Sequence, residues 1–228
     1  MSAAAILGFS LLSLRHPGPA SNVAAQLPAE QVAADAQVPE MRRLSRATLQ
    51  SAPFPLPQVY GVYALSDGQL NELHAIPGRV PDQRVFMSAV ISRPSQTILP
   101  NGQISFIAFR RDIAGSAPER VTVRLIAKIL RAMTFDTGGK MKINEVNDSW
   151  TIRSISHDFR VAPVSENPEM LMIRPENSEF VLSPGRYGLV LKGQAYDFTI
   201  AGNVIDSAHC LERVEAANGT FYSECKTP

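Results

Sequence analysis

The chain has 228 residues, a formal net charge of +1, 45% apolar and 19% charged residues. These values describe an ordinary folded protein, with too little basic excess for a general affinity for nucleic acid or anionic membranes. The length suits one domain with added segments or two small domains, and 17 prolines suit a turn-rich β protein better than a helix bundle.

Residues 3–14 form an apolar run broken only by small residues. The run is shorter than the about 17–25 residues of a membrane-spanning helix and matches the apolar core of a secretory signal. Val23-Ala24-Ala25 supplies small residues before a new N-terminus at Gln26. No Lys or Arg precedes the run, and Arg15 and His16 follow it, which is unusual for a signal. The expectation is a signal-like segment over 1–25 and a Pro/Ala-rich tether over 26–57. Within the tether, 38–49 has the makings of a short helix with Arg42, Arg43 and Arg46 on its polar side. The chain is thus expected in the periplasm or secreted, with membrane proximity only through this N-terminal part.

A β domain is expected over 58–202. Val59-Tyr-Gly-Val-Tyr-Ala-Leu65 reads as a strand, Ser66-Asp67-Gly68 as a turn, and 69–76 as the returning strand. A further strand is expected at 85–92. Residues 104–109 are apolar on both faces, as in a central strand covered on each side. The stretch 121–135 carries basic residues at helical spacing, yet Val121, Val123, Leu125, Ala127 and Ile129 alternate. The Val-Thr-Val start favours a strand, so a long hairpin through Gly138-Gly139 to 150–155 is expected. Residues 164–180 look like a long loop.

Leu182-Ser-Pro-Gly-Arg-Tyr187 then leads into Gly188-Leu-Val-Leu191. These six residues resemble the Tyr corner of Greek-key sandwiches, in which a Tyr hydroxyl bonds back to upstream backbone. With seven to nine expected strands, the fold class reads as mainly β, an antiparallel Ig-like or Greek-key β-sandwich. Trp150, the sole Trp, is expected to fill the core between sheets. The last stretch, 203–228, is poor in apolar residues and contains both cysteines, Cys210 and Cys225. In an oxidising compartment they are expected to form a disulfide that ties this segment.

Tyr60-Gly-Val-Tyr-Ala-Leu, Phe106-Ile-Ala-Phe-Arg-Arg-Asp112, Ile173-Arg-Pro-Glu176 and Tyr196-Asp-Phe198 together resemble uncharacterised exported proteins of alphaproteobacteria. That resemblance implies an envelope location and carries no activity.

The search for chemistry returns little. Four His are present without a nucleophile elbow, a metal-spaced pair or a phosphate loop. His157 and Asp158 are neighbours in a strand-like run and should point to opposite faces. The carboxylates Glu166, Glu169, Glu176 and Glu179 lie in the expected loop without an aromatic platform. Arg110, Arg111, Arg124, Lys128, Arg131, Arg153, Arg160, Arg174 and Arg186 fall in or beside predicted strands; sharing a face, several would make an anion site, with Arg110, Arg124, Lys128 and Arg153 as the candidates. No metal or cofactor is expected. The leading expectation is a non-enzymatic exported module binding an envelope protein or ligand. The alternatives are a periplasmic hydrolase with loop-borne residues and a carboxylate-binding domain using an Arg-rich sheet face.

Overall fold

A computed structural model describes residues 54–80 and 90–226. The signal-like segment, the basic part of the tether and most of the strand expected at 85–92 lie outside the described residues. In chain order the elements are β1 (Gly61–Ser66), β2 (Gln69–Glu72), β3 (His74–Ala75), β4 (Ile98–Leu99), β5 (Ser105–Phe109) and a short helix α1 (Arg111–Ala114). They continue with β6 (Arg120–Phe135), β7 (Met141–Glu145), β8 (Trp150–Val164), β9 (Asn167–Pro175), β10 (Gly185–Leu191) and β11 (Gln194–Ile200). A 3-10 turn (Ser207–His209), β12 (Cys210–Ala216) and β13 (Gly219–Glu224) complete the chain.

The expected antiparallel β character is present, and all the strands belong to one sheet. Its main path runs β2-β1-β5-β9-β8-β6-β10-β11-β3, and every neighbouring pair on it is antiparallel. The two ends of that path are consecutive in sequence, separated only by Leu73. β2 pairs with β1, and the Leu73 amide still donates to the Val62 carbonyl at 2.8 Å. One residue later β3 pairs with β11, and the Ile76 amide donates to the Ala195 carbonyl at 2.8 Å. The segment therefore switches partners midway and draws both edges together, so the sheet nearly closes on itself. A sandwich would keep two separate hydrogen-bonded sheets; here the strand expected at 69–76 exists but serves two neighbours.

Alternation decides what lies inside. Val62 and Ala64, Phe106 and Ala108, Leu171 and Ile173, Leu189 and Leu191 all belong to one buried cluster, each pair two apart on its strand. Phe106 packs against Phe159 and Phe198 at ring distances of 5.6 and 5.4 Å. The interior is thus filled by side chains, as expected for a small barrel. α1 adds Ile113, fully buried, to the same cluster. β5 is buried on both faces because Ile107 and Phe109 join Met170 and Met172 in an outer cluster covered by Phe54 and Leu56. This outer layer also corrects the loop expected at 164–180. Residues 167–175 are β9, whose Met170, Leu171, Met172 and Ile173 are all buried. The Pro, Glu and Asn around that run disguised it.

The hairpin expected from 121–135 is formed. Asp136 Oδ1 accepts from the Gly138 and Lys140 amides at 3.0 and 2.9 Å, shaping the turn into β7. β6 is longer than the barrel needs. Its far part pairs on one side with β7 and on the other, in parallel, with β12, which pairs with β13. These four strands make a wing. Register places Ile143, Met133, Val214 and Phe221 in one row across it. The next row, Glu145, Arg131, Glu212 and Ser223, is polar.

The Cys210–Cys225 disulfide is present at the base of the β12–β13 hairpin, with a sequence separation of 15. It closes a loop worth about 3 kcal/mol in the chain-entropy account. The hairpin contributes only Leu211 to the buried interior cluster, so reduction should loosen 203–226 and leave the barrel folded. Hydrogen exchange with and without reductant checks this: protection should fall in 203–226 and along 128–134, and persist in β5, β9, β10 and β11. Loss of all protection together would contradict it.

Candidate functional site

The outer face of β6, β10 and β11 holds a buried ion pair that the alternation of the strands dictates. On β10, Tyr187, Leu189 and Leu191 face inward, so Arg186 faces out. On β11, Tyr196, Phe198 and Ile200 face inward, so Asp197 also faces out. Arg186 Nε donates to Asp197 Oδ1 at 3.0 Å and Nη2 to Oδ2 at 2.6 Å. The pair is hidden, with side-chain exposures of 7% and 10%. The third guanidinium nitrogen, Nη1, is buried with no hydrogen-bond partner among the described residues. Loss of one member of such a pair strands a buried charge, at a cost of about 3–5 kcal/mol.

Trp150 covers this ion pair. It opens β8 and stands opposite Lys128 on β6, while Arg186 stands opposite Ile126 on the other side of β6. The indole ring thus reaches across β6, and the Arg186 guanidinium carbon lies 4.6 Å from its centroid. Cation–π attraction and burial of the ring on Ile126 and Ile152 hold it there. Trp150 therefore packs in the outer cluster, and the expectation that it fills the core is corrected. On β8 Phe159 faces the interior, so Ile152 and Trp150, of opposite phase, belong to the outer layer.

The C-terminal segment forms the opposite wall. Asp206 caps the 3-10 turn by accepting from the Ala208 amide at 2.9 Å. Arg153 ties this segment to the barrel: its Nη1 donates to the Ala208 carbonyl and to Glu224 Oε1, both at 2.8 Å. Arg124 Nε in turn donates to the Arg153 carbonyl at 2.7 Å. His209 is buried, and its Nε2 lies 3.2 Å from the Tyr187 hydroxyl. That hydroxyl donates to the Ser183 carbonyl at 3.1 Å, which is the Tyr-corner bond read from the sequence. Burial pushes the Tyr187 phenol up to about 12, with the Asp206 charge adding to the effect. Burial likewise holds His209 below its ordinary value, and the Ile126 backbone and Asp206 offset only part of it. The ring sits so close to Gly185 that a Cβ there would lie 2.3 Å from His209 Cε1.

Between these walls lies a cleft of about 440 Å³, within the usual range for small-molecule sites. Ile98, Trp150, Val204, Ile205, Leu130 and the Arg186 side chain line most of it, with the disulfide at one side. Ile98 and Ile205 are 65% and 77% exposed, so an apolar rim faces water in the free protein.

Of the four anion candidates, Lys128 alone lines the cleft. Arg124 and Arg153 lie beneath the C-terminal wall and serve its attachment. Arg110 sits at the end of β5, bound to Asp112 at 2.9 and 2.7 Å and to the Tyr196 hydroxyl. The carboxylates Glu169 and Glu176 are engaged: Glu169 by the Tyr60 hydroxyl at 2.7 Å, Glu176 by Arg120 and Arg160 at 2.9 and 3.4 Å. Among the described residues, no group of three or more His, Cys, Asp or Glu could hold a metal ion. Arg186, Asp197 and His209 are the site residues that sequence reasoning did not bring together. The outward phase of Arg186 and Asp197 in two adjacent strands was the available signal. No protein-family model, curated protein or solved structure matches the chain, so the cleft is read from its own geometry.

His209 gives a pH prediction. Its folded pKa lies below the ordinary 6.5, so between those two values the unfolded chain binds a proton that the folded one excludes. Stability should rise with pH through that window and level off above about 6.5. His157, lowered mainly by its own burial, adds in the same direction. Thermal melts between pH 5.5 and 8 should show a lower Tm on the acid side, with a shallower slope in His209→Gln. An unchanged slope in that variant would remove His209 from the account.

Proposed function

We propose that this chain is a non-enzymatic, exported binding module whose cleft takes a small ligand with an apolar body. The observation that carries the reading is the cleft itself: apolar walls stand open to water, yet its floor is fixed by a buried ion pair and a stacked indole. Such a floor is preorganised, so little ordering cost falls on binding. The disulfide supports an oxidising compartment such as the periplasm, in keeping with the signal-like N-terminus. The Tyr187 corner supports kinship of local geometry with Greek-key sandwiches, and the Ig-like description is proposed to that extent only.

Hydrolysis is the weaker reading. His209 directs Nε2 at Tyr187, and Glu169 and Glu176 are held by Arg and Tyr side chains. An uncommitted base beside a nucleophile, which hydrolysis needs, is not assembled by these groups.

Trp150 makes the test direct, because it is the sole Trp and lines the cleft. Titration with an apolar naphthylamine fluorophore should perturb its emission saturably, at one site. Ile98→Glu, on an exposed side chain, should weaken binding at least tenfold without lowering Tm. Equal binding by the variant would put the fluorophore elsewhere and remove the cleft reading.

A second reading, recognition of an envelope protein, rests on the wing. Phe221 and Ile143 in its apolar row are 51% and 54% exposed, and Phe135 and Met141 beside them are 49% exposed each. Exposed apolar patches of this kind mark interaction surfaces. In-cell crosslinking from position 141 should capture one envelope protein in fixed proportion, and Ile143→Lys should abolish it. Crosslinks unaffected by that change would leave the wing without this role.

A further inference from the structure

Resting on the cleft reading above, we infer that the ligand is an apolar chain ending in a carboxylate, with the carboxylate held between Arg186 and Lys128. The inference starts from which donors of the cleft are already in use. The Ser95 hydroxyl donates to the Thr97 carbonyl at 3.1 Å, and the Ser207 hydroxyl to Glu224 at 3.2 Å. His209 Nε2 is engaged with the Tyr187 hydroxyl at 3.2 Å. Two donors remain. Arg186 Nη1 is buried and has no acceptor among the described residues, although the residue lines the cleft and is 7% exposed. Lys128 also lines the cleft, is exposed, and has no ion pair among the described residues.

Strand register brings these two donors together. Arg186 lies directly across from Ile126, and Lys128 follows Ile126 by two positions on the same face of β6. Lys128 is therefore the diagonal neighbour of Arg186, about 7–8 Å away by backbone spacing, a gap that long side chains span. A carboxylate has two oxygens, one for a guanidinium N–H and one for an ammonium, and charge-assisted bonds of this type are short and strong. Asp197 already neutralises Arg186, so an anion at Lys128 balances the remaining cation. Asp206, the acid lining the cleft, faces its own turn through the Ala208 amide. From the carboxylate, the chain runs along Trp150 and Leu130 toward Val204 and Ile205, which are uncovered in the free protein. A cationic amphiphile would place like charge beside Lys128 and is excluded.

The test compares decanoate with decanol, both below their aggregation limits, by titration against Trp150 emission and by calorimetry. Decanoate should bind at least tenfold tighter. Lys128→Gln should erase most of that preference and leave decanol binding unchanged, with an unaltered Tm. Arg186→Lys, which keeps a cation for Asp197 but removes Nη1, should do the same if its melt shows it folded; Lys128→Gln decides the matter if it does not. Equal binding of both compounds would overturn the carboxylate and leave the cleft reading standing. A preference for decanoate that survives Lys128→Gln would overturn this seat for the carboxylate. Binding of neither compound, with the naphthylamine probe also silent, would overturn both readings together.

Discussion

The fold depends on one segment serving two sheet edges. Between Gln69 and Ile76 the backbone hydrogen-bonds first to β1 and then to β11, and the change of partner happens around Leu73. Leu73 is buried in the interior cluster. Backbone groups left unpaired at a sheet edge invite pairing with other chains, and closure removes that hazard. It also creates an inside and an outside. Once the inside is filled by alternate residues such as Phe106, Phe159 and Phe198, every residue of opposite phase must meet water or a covering segment. Arg186, Asp197 and Trp150 are in that position, and the covering segments decide what surrounds them.

β6 links the barrel to the rest. Its first part belongs to the closed path, and its far part serves as template for β7 and for the parallel β12. The parallel pairing sets the direction of the C-terminal hairpin. It brings the 3-10 turn, His209 and the disulfide back beside Tyr187 and Gly185 of β10, where Arg153 fastens the turn. The cleft is thus a by-product of strand length: a β6 confined to the barrel would give β12 no partner and the cleft no second wall.

The site holds its shape through interactions of unequal weight. The Arg186–Asp197 pair contributes little net stability relative to an apolar substitute, but it is costly to break by halves. It fixes the direction of a guanidinium, and the guanidinium seats the indole. The chain from His209 through the Tyr187 hydroxyl to the Ser183 carbonyl does the same for the opposite wall. In a low-dielectric setting such links act as geometry-setting devices, and each leaves few side-chain orientations open.

Much of this was legible from the residues alone. Alternation gave β6, because a strand with one buried face must place apolar residues at every second position, and an unbroken apolar run gave β5. The Leu182-to-Tyr187 motif gave the Tyr corner, since that bond is local. The two cysteines gave the disulfide, because they lie close in sequence within a segment short of apolar residues. Other features were beyond sequence reasoning. The strand β9 was hidden because both its faces are covered, so no alternation appears. The closure at Leu73 is a choice between partners, and a strand's own residues do not name its partners. The placement of Trp150 outside the barrel follows from the phase of β8, in which Trp150 and Ile152 are opposite to the inward Phe159, and the meeting of Arg186, Asp197, Lys128 and His209 follows from strand pairings far apart in the chain. The sequence determined which segments are strands and which face of each is apolar, because those are properties of neighbouring residues. The tertiary structure alone decided which polar residues share a cleft, because that depends on register between distant strands, where a shift of one residue exchanges inside for outside.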